Sequence, residues 1–432
     1  MSDTRTTNTL IAPEVIDGVT FRSLRSNETE ACLDLWLTVW PGENNLSYFK
    51  RYFFGDVEWL PYYTQVAECD GKLVSSVQIC KRTVACGEFS LTMGGIANVA
   101  TLPEYRKRGL NSALMRRAIA VMEADAMDFS LLFTGINSYY QGFGYSNLTR
   151  RTTSVRIRED YSRPKHNFDI RLASADDIAQ IRGIHEAYNA SRPIAVRRTE
   201  AYWRDWLRVD PAAMPAGLRV ACDGNGKVCG YLSLGRFNSA ISYTAADEAV
   251  RVIEIGINAG PCEFETDIAV ELLSSIIDEM STLGRAAGDQ TLLLETPMSP
   301  SIHAALKALC AGNGISSAIS TSAMVRLLHR DALLRSFTMM WNERWLEANR
   351  PRGRATFETP YGAARVDATG DLLEIDSGSY RSETGAISQS HLFDLMFGAM
   401  SPVDANCDDS LHPLLAALFP PQEMIFWAAD GF

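Results

Sequence analysis

Several common chemical signatures are missing from the 432-residue sequence. Its nine cysteines, Cys32, Cys69, Cys80, Cys86, Cys222, Cys229, Cys262, Cys310 and Cys407, include no CxxC pair, and its six histidines form no HExxH motif. The thiols read as reduced, and neither a disulfide framework nor any bound metal is expected. There is no GxxxxGK[ST] loop and no GxGxxG turn, which excludes the two commonest phosphate-cradling motifs. No apolar run approaches the length needed to span a bilayer, and residues 1–17 lack the basic-then-apolar order of a signal peptide, so a cytoplasmic protein is expected. Basic charge is in short supply: 41 Lys and Arg stand against 52 Asp and Glu, a formal charge of −11. That balance argues against nucleic acid or an anionic membrane as partner and suits a cationic small substrate.

What is present fits a folded protein, with 46% hydrophobic and 22% charged residues. At roughly 150 residues per domain the length predicts about three domains. Strands and helices alternate over the first 150 residues. A strand over 19–24 precedes a helix from Asn27, with Leu33, Trp36, Leu37 and Trp40 at helical spacing. A hairpin turns at Cys69-Asp70-Gly71-Lys72, and strands follow at 89–93 and 96–101. A helix opens at Gly109 with Leu110, Leu114, Ala118 and Val121 on one face, and 129–134 has the continuous apolar character of a buried strand. After a polar, basic connector over 150–167 the same grammar returns. Ile170-Arg171-Leu172 before Ser174 and Asp177 echoes Phe21-Arg22-Ser23-Leu24, and Cys222-Asp223-Gly224 echoes the first hairpin turn, so two tandem α/β units are predicted. A Gly/Ser-rich stretch over 312–322 then separates an α+β segment. Its strands lie near 324–328, 354–357 and 371–375, its helices at 331–337, 388–398 and 411–418, and it ends in an apolar tail.

The most specific segment is Asn98-Val99-Ala100-Thr101-Leu102-Pro103-Glu104-Tyr105-Arg106-Lys107-Arg108-Gly109-Leu110-Asn111. Here a strand passes through three consecutive cations into the N-terminus of a helix. Free backbone N–H groups and the positive end of the helix dipole make such a turn an anion site, and glycine lets a pyrophosphate approach closely. An ordinary solvated turn is the alternative. The second unit has acids at the corresponding place, Glu263 and Glu265 after Gly260-Pro261-Cys262, which would repel a pyrophosphate, so it is expected to bind no cofactor.

Arg106-x-x-Gly109 after a buried strand resembles the acetyl-coenzyme A signature of the Gcn5-related N-acetyltransferase (GNAT) superfamily, with Asn111 where members usually have Gly or Ala. Tyr139-Tyr140-Gln141-Gly142-Phe143-Gly144-Tyr145 is similar to that superfamily's FYxRFGY pattern. With the duplicated unit, the α+β tail and the terminal Phe432, the chain resembles the Eis-like (enhanced intracellular survival) acetyltransferases. The resemblance implies an α/β fold of two tandem GNAT domains and a C-terminal sterol-carrier-protein-like (SCP2) domain. The boundaries expected are 1–152 for the catalytic domain, 153–318 for a degenerate second GNAT domain and 319–432 for the third.

By position, Val99, Ala100 and Thr101 would pair with the pantetheine arm of acetyl-coenzyme A. Arg106, Lys107, Arg108, Gly109, Leu110, Asn111 and Ser112 would hold the pyrophosphate, and Gly135 and Ile136 would border the channel where two strands part. The family often has Ser in place of Gly135. Tyr140 matches the general acid, a phenol with an ordinary pKa of about 10 that stays protonated at neutral pH; packing under the sheet is the alternative. The α-carboxylate of Phe432 matches the general base, with Asp430 a nearby competitor and a tail docked for stability alone the alternative. Trp36, Trp40 and Asp430 are candidate acceptor-binding residues, with core packing the competing reading for the tryptophans. The resemblance further implies a homohexamer and, as acceptor, the amine of an aminoglycoside, polyamine or amino sugar, acetylated directly in a ternary complex. A protein lysine is the close variant of that acceptor, and a non-catalytic carrier protein is the alternative from a different class.

Overall fold

The computed structural model describes residues 10–42, 45–162, 168–207, 217–234, 249–282, 284, 286, 290–294, 299–380 and 386–432. The first stretch supplies β1 (Glu14–Ile16), β2 (Val19–Ser23), α1 (Thr29–Val39), α2 (Asn45–Phe54), β3 (Thr64–Cys69), β4 (Lys72–Cys86) and β5 (Phe89–Thr101). It continues with α3 (Leu110–Ala124), β6 (Phe129–Phe133), α4 (Asn137–Gln141), β7 (Ser146–Asn147) and β8 (Arg150–Ile157). Asp70 and Gly71 both take positive φ, 49° and 77°, the geometry of the tight hairpin turn between β3 and β4.

The second stretch repeats the order with β9 (Asp169–Leu172), α5 (Ile178–Asn189), β10 (Leu218–Cys222), β11 (Val228–Leu234), β12 (Val250–Ile257), α6 (Cys262–Thr282), β13 (Thr291–Leu294), α7 (Pro300–Leu309) and β14 (Cys310–Ser320). The third adds β15 (Ala323–Leu327), α8 (Arg330–Glu347), β16 (Arg354–Phe357), β17 (Ala363–Asp367), β18 (Glu374–Tyr380), α9 (Gln389–Met396) and α10 (His412–Leu418).

Three sheets result. The first has strand order β1-β2-β3-β4-β5-β6-β15-β7, the second β14-β8-β13-β12-β11-β10-β9, and the third β16-β17-β18. In each of the large sheets one central pair is parallel, β5 with β6 and β12 with β13, and the other neighbours run antiparallel. Apolar faces of α1 and α3 pack on the first sheet through Leu33, Trp36, Leu114, Ala118 and Val121, all buried.

The architecture is the α/β arrangement of two tandem units expected from the repeat, with four local departures. The basic stretch expected as a connector contains β8, which lies inside the second sheet. Thr153, Val155 and Ile157 are buried while Ser154 and Arg156 between them are not, a period of two over the last five residues that the basic composition masks. The Gly/Ser-rich separator contains β14, an edge strand paired with β8. The strand assigned to the third segment, β15, pairs instead with β6 and β7 of the first sheet. The expected boundary at 152/153 therefore cuts β8, and that at 318/319 leaves a strand of the first sheet with the third segment. Finally, 89–93 and 96–101 are one strand, joined through Gly94 and Gly95. A Cβ on Gly94 would meet Met122 and Met127 at 2.3 and 2.8 Å, and one on Gly95 would meet the Phe432 ring at 2.3 Å, so both faces of β5 are filled at that point.

Candidate active site

The site begins where β5 and β6 part. Their pairing runs from Met93↔Phe129 to Ile96↔Leu132 and ends there, while β4 stays paired to β5 as far as Ser75↔Thr101. An extra residue at Asn98, φ 48°, bulges β5 just past the last β6 pair. Asn98 is held by its amide, which donates to Gln78 Oε1 at 2.7 Å, and by its carbonyl, which accepts from Ser76 Oγ at 3.2 Å. Strand alternation sends the polar groups of Ala100 toward β4, where its carbonyl accepts from Ser75 Oγ at 2.7 Å. Those of Val99 and Thr101 face the gap.

Beyond the gap a cleft of about 480 Å³ is lined by Val39, Trp40, Val99, Thr101, Tyr105, Arg106, Lys107, Gly109, Leu110, Asn111, Ser112, Ile136, Tyr139 and Tyr140. Lys107 and Gly109 both take the left-handed conformation, φ 61° and 76°. That alternation turns the backbone N–H groups entering α3 toward the cleft, where the first turn of the helix carries no acid. Arg106 braces the turn by donating from Nε to the Thr101 carbonyl at 3.2 Å. Asn111 keeps a buried amide oxygen with no partner among the described residues, an opening for a ligand donor. A free strand edge, a cationic turn and an open helix N-terminus together fit an extended, anionic cofactor of the acetyl-coenzyme A type.

Not every expected cofactor residue faces this cleft. Arg108 folds back over the Tyr105 ring at 4.9 Å and donates to the Glu104 carbonyl, Ala100 is turned toward β4, and Gly135 is not among the lining residues. Of the two tryptophans, Trp40 lines the cleft. Trp36 is fully buried, stacks on Phe53 with centroids 4.9 Å apart and donates to Ser76 Oγ at 2.8 Å, which makes it core.

Tyr140 sits on α4 with its ring packed against Tyr139 and Tyr145, centroids 5.0 and 6.2 Å away. The residue lines the cleft, and its hydroxyl has no hydrogen-bond partner among the described residues. Burial, reinforced by the neighbouring Tyr139, pushes its pKa up to about 12, so the phenol is neutral through the physiological range and available as a proton donor.

The C-terminus returns to this same strand. The Phe432 ring lies against Gly95 and packs on Phe133 and Phe426, centroids 5.6 and 5.9 Å away. A second cavity, about 200 Å³, is walled by Phe432, Gly431, Ala428, Phe426, Tyr48, Phe133 and Arg150. Phe133 ends β6 and belongs to this cavity; Ile136 and Tyr140, a few residues later, belong to the cleft. The two spaces therefore flank the end of β6. Asp430 lies in neither: it is fully buried, ion-paired to Arg198 at 2.8 Å. A carboxylate so committed cannot serve as the mobile base that the sequence left open. Tyr48, Phe133 and Arg150 were not nominated from sequence; each is an ordinary residue of its own element, and only the fold gathers them.

No described helix is long and apolar enough to cross a membrane. All nine cysteines are free, and the described residues contain no group of three or more His, Cys, Asp or Glu placed to hold a metal ion. Among curated proteins none matches the sequence. Residues 20–148 match the acetyltransferase (GNAT) domain family. Over the whole length the chain is similar to solved structures at low identity. A conserved protein of unknown function from Enterococcus faecalis V583, a probable N-acyltransferase, is 18% identical, with 96% of this chain and 100% of that one covered and a TM-score of 0.66. A GCN5-related N-acetyltransferase from Anabaena variabilis ATCC 29413 is 14% identical, with coverage of 96% and 100% and a TM-score of 0.62. Eis1 from Mycobacterium abscessus is 15% identical, with the same coverage and a TM-score of 0.59. The match over residues 20–148 to the GNAT acetyltransferase domain implies acetyl-coenzyme A as co-substrate, and the chain is an acyltransferase.

Proposed function

We propose that the chain is an acetyl-coenzyme A-dependent N-acetyltransferase that passes the acetyl group directly to an amine, with Tyr140 as general acid and the α-carboxylate of Phe432 as general base. The observation that carries this reading is the return of the C-terminus to β5, the strand that borders the cofactor cleft. The pantetheine arm would add as a strand to the free edge at Val99 and Thr101, with the pyrophosphate over Lys107 and the residues from Gly109 to Ser112. The amine would enter from the cavity at Phe432, give a proton to the carboxylate directly or through water, and attack the thioester carbonyl. Collapse of the adduct breaks the C–S bond, and the departing thiolate takes its proton from the Tyr140 phenol.

The acidic chain supports a cationic acceptor, an aminoglycoside, polyamine or amino sugar. The architecture shared with Eis1 supports an Eis-like assignment, with the third segment a sterol-carrier-protein-like domain and the molecule a cytoplasmic homohexamer that binds neither nucleic acid nor membrane. The test is free-thiol release from acetyl-coenzyme A by untagged protein against a panel of aminoglycosides, polyamines, amino sugars and lysine peptides, with the acetyl mass increment located on the product. Release with a small amine establishes the proposal, and release only with peptides moves it to a protein lysine acetyltransferase. Absence of both release and cofactor binding would leave a carrier protein.

A further inference from the structure

The second unit lacks a cationic turn, yet its interior holds a buried charged cluster that reaches the C-terminal tail. Arg198, with no exposed side-chain surface, donates from Nε and Nη2 to Asp430 at 2.8 and 2.9 Å, and from Nη1 and Nη2 to Glu254 at 2.8 and 2.6 Å. The Tyr202 hydroxyl donates to Asp430 Oδ1 at 3.1 Å, and the Tyr231 hydroxyl to Glu254 Oε1 at 2.6 Å. Apolar packing would stabilise a docked tail at least as well as buried charge, which carries a desolvation cost; charge-assisted, two-pronged bonds add geometric specificity. The preceding residues are laid along the same unit. Glu423 pairs with Arg192 at 3.0 Å, the Ile425 N–H donates to the Pro193 carbonyl at 3.1 Å, and Trp427 Nε1 donates to Asn189 Oδ1 at 3.1 Å.

The first unit grips the tail as well. Arg51 of α2 donates from Nη2 to the Gly431 carbonyl at 3.0 Å. Its guanidinium lies 4.5 Å from the ring centroid of Tyr48 and 4.3 Å from that of Trp206. Tyr202 and Trp206 are the two ends of a single π-helical turn. One wide turn of the second unit therefore meets Asp430 through Tyr202 and Arg51 through Trp206, and such insertions are frequent at functional sites.

We propose that Arg198, Tyr202 and Arg51 are positioning residues that clamp Asp430 and Gly431 from the two units and so fix where the Phe432 α-carboxylate stands. This assigns the second unit a part in catalysis, and it rests on the reading of that carboxylate as the base. Two residues extend at most about 7 Å, so pinning Asp430 and Gly431 leaves the terminus little range.

The test uses untagged full-length protein in four forms: wild type, Asp430→Asn, Tyr202→Phe, and wild type with one alanine appended after Phe432. Four quantities are read for each: kcat, the KM for acetyl-coenzyme A, the rate at which carboxypeptidase removes the terminal residue from folded protein, and the thermal midpoint. Asp430→Asn is expected to lower kcat at least about tenfold with the KM for acetyl-coenzyme A within about twofold, and to speed release of Phe432 about tenfold. Tyr202→Phe, which removes one neutral hydroxyl, is expected to move both in the same direction by about threefold at a near wild-type midpoint. It decides the question if Asp430→Asn does not fold. Wild-type kcat and trimming rate in the folded variants, with turnover abolished by the appended alanine, overturns the clamp and leaves the base standing. Full turnover with the alanine appended overturns the base, and the catalytic role of the clamp with it.

Discussion

In the first unit β5 enters α3 through Arg106, Lys107 and Gly109, with left-handed backbone at two of these positions and no acid in the first helical turn. In the second unit β12 enters α6 through residues 258–261, none of which takes the left-handed conformation, and Glu263 and Glu265 stand in the first turn. There the Gly260 N–H donates to Glu265 Oε1 at 3.1 Å, so the protein's own carboxylate occupies the place an external anion would need. The strands β2 to β6 and β9 to β13 run in the same order, and at this turn the difference lies in a handful of side chains and two φ angles. An anion site at a helix N-terminus is a property of the turn, and the fold alone does not confer it.

That contrast can be tested from its strongest element downward. Tyr140→Phe removes the proposed acid from the unit that binds cofactor; kcat in the thiol-release assay is expected to fall about 10²- to 10⁴-fold, with the KM for acetyl-coenzyme A and the thermal midpoint near wild type. Gly95→Ala puts a Cβ into the Phe432 ring and must displace the tail, so kcat is expected to drop about 10- to 100-fold with cofactor affinity retained. Giving the first turn the charge of the second, by Arg106→Glu with Lys107→Glu, is expected to weaken acetyl-coenzyme A about 10- to 100-fold, some 1.4 to 2.8 kcal/mol, by calorimetry. The reverse exchange, Glu263→Lys with Glu265→Lys, sharpens the comparison. One site per chain is expected, because the backbone of 258–264 stays unsuited; two sites would show that charge alone had closed the second.

The smallest effect concerns pH. In the proposed role the neutral phenol is the active form of Tyr140, and burial raises its pKa to about 12, so the acid would be lost later than an ordinary phenol. The kcat profile is expected to show no basic decline attributable to this group between pH 7 and about 10.

Legibility in the sequence followed locality. The hairpin at Asp70-Gly71, the helix opening at Gly109, and Tyr140 at the cleft are each set by neighbours within a few residues, and each stands where the pattern put it. Trp36 and Trp40 share a helical face, yet one turn of α1 separates a core residue from a cleft residue, a distinction periodicity does not carry. Strand β8 was hidden by its arginines, and β14 by its small polar residues, because sheet membership there depends on partners far along the chain. Asp430 and Arg198 are 232 positions apart, so nothing near either predicts their meeting.

The position of β15 imposes an order on synthesis. Residues 134–322 separate it from β6, its neighbour in the first sheet. As the chain emerges from the ribosome, β6 stands as an unpaired edge of mostly buried apolar residues until the whole second unit has followed it out. A nascent first unit has no complete sheet until β15 has been made. The sheet begun first is completed only after the second one has been made.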